Sequence, residues 1–110
     1  MRKGQKICKI INEIAYYLIE EYSNHFNIEV IDKEVGFLVK FTLGLCEDES
    51  LENLKNIIDP SRDPAIEEYG SFLVGESDDS YDFELLGSMV DFYNVYSDDK
   101  YTYIEVGINE

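Results

Sequence analysis

The sequence contains no tryptophan, one histidine, two cysteines and two prolines in 110 residues. Each scarcity removes a class of protein. Nucleophilic catalysis needs a nucleophile, a base and a group that orients the base. With His25 as the single imidazole and no G-x-S-x-G, no such set can be assembled from the pattern. Cys8 and Cys46 belong to no C-x-x-C pair, and two distant thiols with one histidine lack a fourth zinc ligand. No cofactor and no metal are therefore expected. Cys8 falls in an apolar helical stripe, which predicts a buried free thiol. No apolar run reaches the roughly 18 residues that a membrane-crossing helix requires. Arg2 and Lys3 are followed by further charges rather than an apolar segment, so the expectation is a chain without an export signal, in the reducing cytoplasm.

Basic residues are also scarce. Nine bases against 24 acids give a net charge of −15. Residues 1–40 hold six bases and six acids and are neutral, and residues 1–10 alone carry +4. Residues 41–110 hold only Lys55, Arg62 and Lys100 against eighteen acids. Phosphate binding needs a basic footprint, so direct contact with nucleic acid is not expected. An anionic membrane surface would repel the chain in the same way. The balance favours a protein partner with a basic surface.

The chain holds 45% apolar residues, with nine tyrosines and six phenylalanines, which is enough for one packed domain over residues 1–110. Ile7, Ile10, Ile11, Ile14, Leu18, Ile19 and Tyr22 recur at helical spacing, with Lys6, Lys9, Glu13 and Glu20 on the other side. Four bases at the start of this helix oppose its dipole. Ile28 and Val30, then Phe37, Val39, Phe41 and Leu43, switch to period two and predict a hairpin across Asp32-Lys33-Glu34. Asp48 or Ser50 opens a short helix with Leu51, Leu54, Ile57 and Ile58, closed by Pro60. Asp63-Pro64 starts another through Val74. Phe83, Leu86, Val90 and Tyr93 predict a third, in which Gly87 costs about 1 kcal/mol relative to alanine. A second hairpin turns at residues 97–100, and Tyr101 to Ile108 form its last strand. The expected fold is α+β: a two-layer sandwich with a four-stranded, mainly antiparallel sheet of two hairpins, covered on one face by three to four helices.

The closing stretch ELLGSMVDFYNVYSDDKYTYIEVGI (residues 84–108) and the helix-then-hairpin opening carry a likeness. In element order the chain resembles a pared-down histidine-kinase-like ATPase domain, the Bergerat or GHKL fold, whose smallest members are anti-sigma-factor kinases. That family bears an acid and, four residues later, an asparagine on its first helix. Glu13 matches the acid, but Tyr17 stands at the asparagine position. IDPSRDP (residues 58–64) stands where a D-x-G-x-G loop belongs, and the glycine-rich motif is reduced to Gly87. The acids ahead of Gly87 would repel a triphosphate. The resemblance therefore implies a fold that has lost ATP, with no catalytic residue carried over.

Candidate contact residues remain. Asp78-x-Ser80-x-Asp82 opens like a calcium loop, but Phe83 replaces the required glycine and Met89 the closing glutamate. Glu76, Asp78, Asp79 and Asp82 are instead read as an acidic loop. Tyr101 and Tyr103 share a strand face opposite Thr102, Ile104, Val106 and Ile108, and with Tyr96 they suggest an exposed contact surface. Arg62 either fixes its loop by pairing with a carboxylate or reads an anion at a helix N-terminus. The functional expectation is a non-enzymatic regulatory or adaptor module that binds a basic protein. The alternative is an acidic inhibitor, a nucleic-acid mimic that occupies a basic groove. A homodimer formed edge to edge through the tyrosine-lined final strand is a further expectation. An active kinase of the family ranks last.

Overall fold

The computed structural model describes residues 2–22, 25–62 and 81–109. Its elements run α1 (Lys3–Glu21), β1 (Phe26–Asp32), β2 (Phe37–Gly44), α2 (Asp48–Lys55), α3 (Phe83–Met89), β3 (Phe92–Ser97) and β4 (Tyr101–Ile108). The expected helix after Asp63-Pro64 and the acids Glu76, Asp78 and Asp79 lie outside the described residues.

The four strands form one antiparallel sheet in the order β1-β2-β4-β3. The two hairpins join through β2 and β4. Phe37 pairs with Ile108, Val39 with Val106, Phe41 with Ile104 and Leu43 with Thr102. Period two then places Phe37, Val39, Phe41 and Leu43 on the face shared with Ile104, Val106 and Ile108, and all seven are buried. Three helices pack on this face, so the fold is an α+β sandwich. α1 lies against β2 and α3, while α2 lies against β3. Gly36 adopts φ 86° in the β1–β2 turn, a conformation open to glycine at no steric cost.

β4 is an interior strand, which corrects the expected homodimer contact. Both of its edges are occupied, by β2 and by β3, so it cannot pair with a second copy. Among the described residues the open edges belong to β1 and β3.

The last predicted helix also ends early. It stops at Met89, and Val90 is already extended (φ −123°, ψ 155°). Asp91 N–H donates to the Gly107 carbonyl at 2.8 Å, and Phe92 and Tyr93 pair with Gly107 and Val106. The β4 ladder captures residues whose spacing also fits a helix. α2 ends at Lys55 rather than at Pro60, and neither Asp48 nor Ser50 is its cap, since the residue before its first turn is Glu47.

Two side chains reverse their expected places on α1. Cys8 is exposed, because the buried stripe runs through Ile10, Ile14 and Leu18 and leaves position 8 on the flank. Lys9 is buried, 8% exposed, although it reads as a polar-face residue. Its ammonium donates to Glu13 at 3.0 Å and lies 3.4 Å from Asp82, and Glu13 also accepts the Asp82 backbone N–H at 3.2 Å. Burial opposes the charge on Lys9, but the two carboxylates outweigh it and raise the pKa. This trio ties α1 to the entry of α3. Beside it Tyr17 packs edge-on against Tyr81 and Phe83, with ring centroids 4.9 and 5.2 Å away.

Gly87 has a packing role that helix propensity does not reveal. A Cβ there would collide with the Asp59 carbonyl oxygen, and the Gly87 carbonyl accepts the Ser61 N–H at 2.8 Å. Backbone meets backbone at this point. Gly87→Ala should therefore destabilise the fold by about 2 kcal/mol, the cost of overpacking a core, although the same change normally favours a helix by about 1 kcal/mol. Gly4→Ala, where nothing lies within 4 Å of the new Cβ, should be neutral or stabilising. Urea unfolding of the two variants checks this contrast of sign.

Candidate functional site

The face of the sheet turned away from the helices is built by the same alternation. It presents Asn27, Glu29 and Ile31 from β1, Leu38, Lys40 and Thr42 from β2, Tyr101, Tyr103 and Glu105 from β4, and Asn94 and Tyr96 from β3. No described helix packs on it. Tyr96 is 41% exposed and Tyr101 47%, so the expectation of a shared, solvent-facing tyrosine surface matches the geometry.

The tyrosines form one contiguous row. Tyr96 and Tyr103 are direct cross-strand partners, with ring centroids 5.1 Å apart and planes 29° from parallel. Tyr101 meets the edge of Tyr103 at 6.4 Å. The Lys40 ammonium sits 4.8 Å from the centre of the Tyr103 ring. Each buttressed hydroxyl has a carboxylate. Tyr96 donates to Glu105 at 2.7 Å, and Tyr103 donates to Asp98 at 2.7 Å. The other oxygen of Asp98 accepts the backbone N–H groups of Lys100 and Tyr101, both at 2.8 Å, and so closes the β3–β4 turn. These bonds set the charges. Asp98 is held below the usual carboxylate range by the Tyr103 hydroxyl and the two backbone donors. Tyr103 is raised by the bond to Asp98, and Tyr96 is pushed up to about 12, first by its bond to Glu105. Both phenols are neutral donors, and no described helix covers the row.

The other predicted contact residues go elsewhere. Asp82 sits in the helix layer with Lys9 and Glu13, away from the tyrosine row. Glu13, the match to the family's acid, serves the same trio. Arg62 pairs with Asp91 at 3.3 Å. Asp91 also accepts the Asn109 N–H at 3.0 Å, so the pair clamps the end of β4 to the loop after α2. Arg62 with Lys3 and Lys6 lines a shallow cavity of about 120 Å³, in which Asp32 and Asp91 already offset the charge of Lys3 and Arg62. A second cavity of about 300 Å³ lies between Tyr22, Leu43, Cys46 and Ser50. Among the described residues no three His, Cys, Asp or Glu side chains converge to hold a metal, and no helix is long and apolar enough to cross a membrane.

Lys40 and Asp98 were not singled out by the sequence. Period two assigns Lys40 to the open face, but its place over Tyr103 depends on the β2–β4 register, which no local pattern encodes. Compared with family models, curated proteins and solved structures, the chain matches none.

The geometry predicts a separable titration. Tyr96 should ionise near pH 12 in a difference spectrum taken against Tyr96→Phe. Glu105→Gln, which removes the accepting carboxylate, should lower that midpoint. A raised phenol pKa stabilises the fold fully below the ordinary tyrosine value near 10 and loses that contribution as the pH rises toward the folded value. Stability of the wild type should therefore fall more between pH 10 and 12 than that of Tyr96→Phe.

Proposed function

We propose that this chain is a protein-binding module, regulatory or adaptor in kind, whose open sheet face docks a partner with a basic surface. One observation carries the reading: three tyrosines form a contiguous, half-exposed row on a sheet face that no described helix covers. Tyrosine offers a large apolar contact with little entropy to lose, and it is enriched at binding hot spots. Rings already fixed by Glu105, Asp98 and Lys40 lose less freedom on binding than loose side chains would. The net charge of −15 supports the sign of the partner, since it attracts a basic surface and speeds the encounter.

The narrower reading, a mimic of nucleic acid, calls for carboxylates in phosphate-like series. The row across the open face runs Glu29, Lys40, Glu105, Asn94, with a base in its middle, and does not favour that reading. Descent from a histidine-kinase-like ATPase remains a proposal that rests on element order. With Glu13 bonded to Lys9 and the Asp82 backbone, that lineage agrees with a module that has lost its nucleotide.

The test uses the purified chain as bait at low and high salt, beside the double variant Tyr101→Ala with Tyr103→Ala. The bound protein should be basic, released by salt, and held about 100-fold more weakly by the variant, as for the loss of hot-spot side chains. Equal retention by a variant with unchanged circular dichroism would overturn the proposal. Calorimetry with ATP or ADP and Mg²⁺ should give no binding heat, and micromolar affinity would instead mark a nucleotide-binding member of the family.

A further inference from the structure

The β1 edge lacks two of the usual protections and keeps a third, charge, at Glu29 and Asp32. It has no proline, and its ladder with β2 runs without a bulge from Phe26–Leu43 to Asp32–Phe37. Its apolar side chains are poorly covered. Ile28 is 39% and Val30 43% exposed, although the register turns both toward the helix layer. The sheet overhangs the helices here. Ile19 of α1, 56% exposed, is a further uncovered apolar side chain.

We infer that β1 is a self-association edge that pairs antiparallel with β1 of a second copy, centred on Val30, to give an eight-stranded sheet. Three observations select this occupant and register. β1 carries Glu29 and Asp32 without a base, but Lys3 pairs with Asp32 and Lys33 follows the strand directly, so two copies bring less like charge together here than the acidic remainder would. The β3 edge is flanked by Asp91, Asp98 and Asp99, and pairing there would bring these acids together. A shared sheet must also keep each face on its own side, which restricts the centre to a residue or its neighbours in whole-residue steps. Centring on Glu29 would set two carboxylates opposite each other, and centring on Ile31 leaves only residues 30–32 of β1 overlapping. Centring on Ile28 or on Val30 overlaps five residues of β1 in either case, 26–30 or 28–32, but only Val30 brings Lys33 of the other copy diagonal to Glu29 while placing valine opposite valine. Neither Glu29 nor Lys33 has an ion-pair partner among the described residues. The two-fold axis leaves both tyrosine rows on the same side of the joined sheet.

Sedimentation equilibrium of the full chain should show a dimer at tens of micromolar that persists or tightens as salt is added. Val30→Lys, at an already exposed position, should weaken dimerisation at least tenfold. In a Cys8→Ser, Cys46→Ser background, Val30→Cys should oxidise to a covalent dimer, and Ile31→Cys, which this register places opposite Glu29, should not. A wild type that remains monomeric, or a dimer indifferent to Val30→Lys, would overturn the inference. Crosslinking through Ile31→Cys alone would overturn the register. The edge and the tyrosine face are separate surfaces, so failure of this inference leaves the basic-partner reading intact.

Discussion

The pairing of β2 with β4 is the constraint on which everything else in this molecule depends. The paired residues lie 57 positions apart at Gly44–Tyr101 and 71 apart at Phe37–Ile108. The pairing decides what each face of the sheet carries. A slip by one residue would turn Tyr101, Tyr103 and Glu105 into the core and Ile104 and Val106 into solvent. The apolar alternation on both strands holds the register, because seven buried side chains have only one arrangement in which all are covered. Gly107 adds a second lock. A Cβ there would collide with the Phe37 carbonyl, so the backbones of the two strands approach more closely than any other residue would allow.

Polar ties at the edges hold the helices to one another and to the sheet. Lys9 holds Glu13 and Asp82, Lys3 holds Asp32, and Arg62 holds Asp91. In a chain with nine bases this use of cations has an electrostatic consequence. Positive charge is drawn into internal ties, several of them half-buried, and the excess of carboxylates is left to the surface. The field seen by a partner is therefore more uniformly negative than an even scatter of the same residues would make it. The bases at the start of α1 look unfavourable against the helix dipole. Lys3 shows their purpose, since its ammonium reaches both Asp32 and the Lys33 carbonyl at 2.9 Å and ties the helix to the end of β1.

Much of the fold was legible because period is a strong local signal. Phe37, Val39, Phe41 and Leu43 announce a strand with one buried face, and Ile10, Ile14 and Leu18 announce a helix with one buried stripe. The unread features are tertiary. Lys9 is buried only because Asp82, 73 positions away, arrives beside it. Val90 and Tyr93 fit a helix by spacing, but Tyr93 pairs with Val106 in the ladder and Val90 is extended just ahead of the bond from Asp91 to Gly107. The open tyrosine face was legible from alternation in β4, but the order β1-β2-β4-β3 was not, and so the free edges were assigned to the wrong strand. The contribution of Lys40 and Asp98 to the site is of the same kind. Each acts on a tyrosine that the sheet, not the local sequence, places beside it.

The choice of tyrosine on the open face follows from the demands on a surface that is solvated when free and contacted when bound. Leucine or phenylalanine in the same row would expose a continuous apolar strip and favour uncontrolled association. Tyrosine carries a comparable apolar ring with a hydroxyl that can be satisfied at the rim. Here Glu105 and Asp98 satisfy two of those hydroxyls from within the same face. A contacting partner therefore need not supply a hydrogen bond to either group in order to cover the rings. It can gain the burial of apolar surface while the polar ends keep the partners they already have. Lys40 over Tyr103 offsets part of the negative charge of Glu105, at 3.8 Å, at the one place where rings and carboxylates crowd together. The row is thus prepared for desolvation at its centre and remains acidic around its margin, the arrangement of an apolar core and polar rim that protein interfaces share.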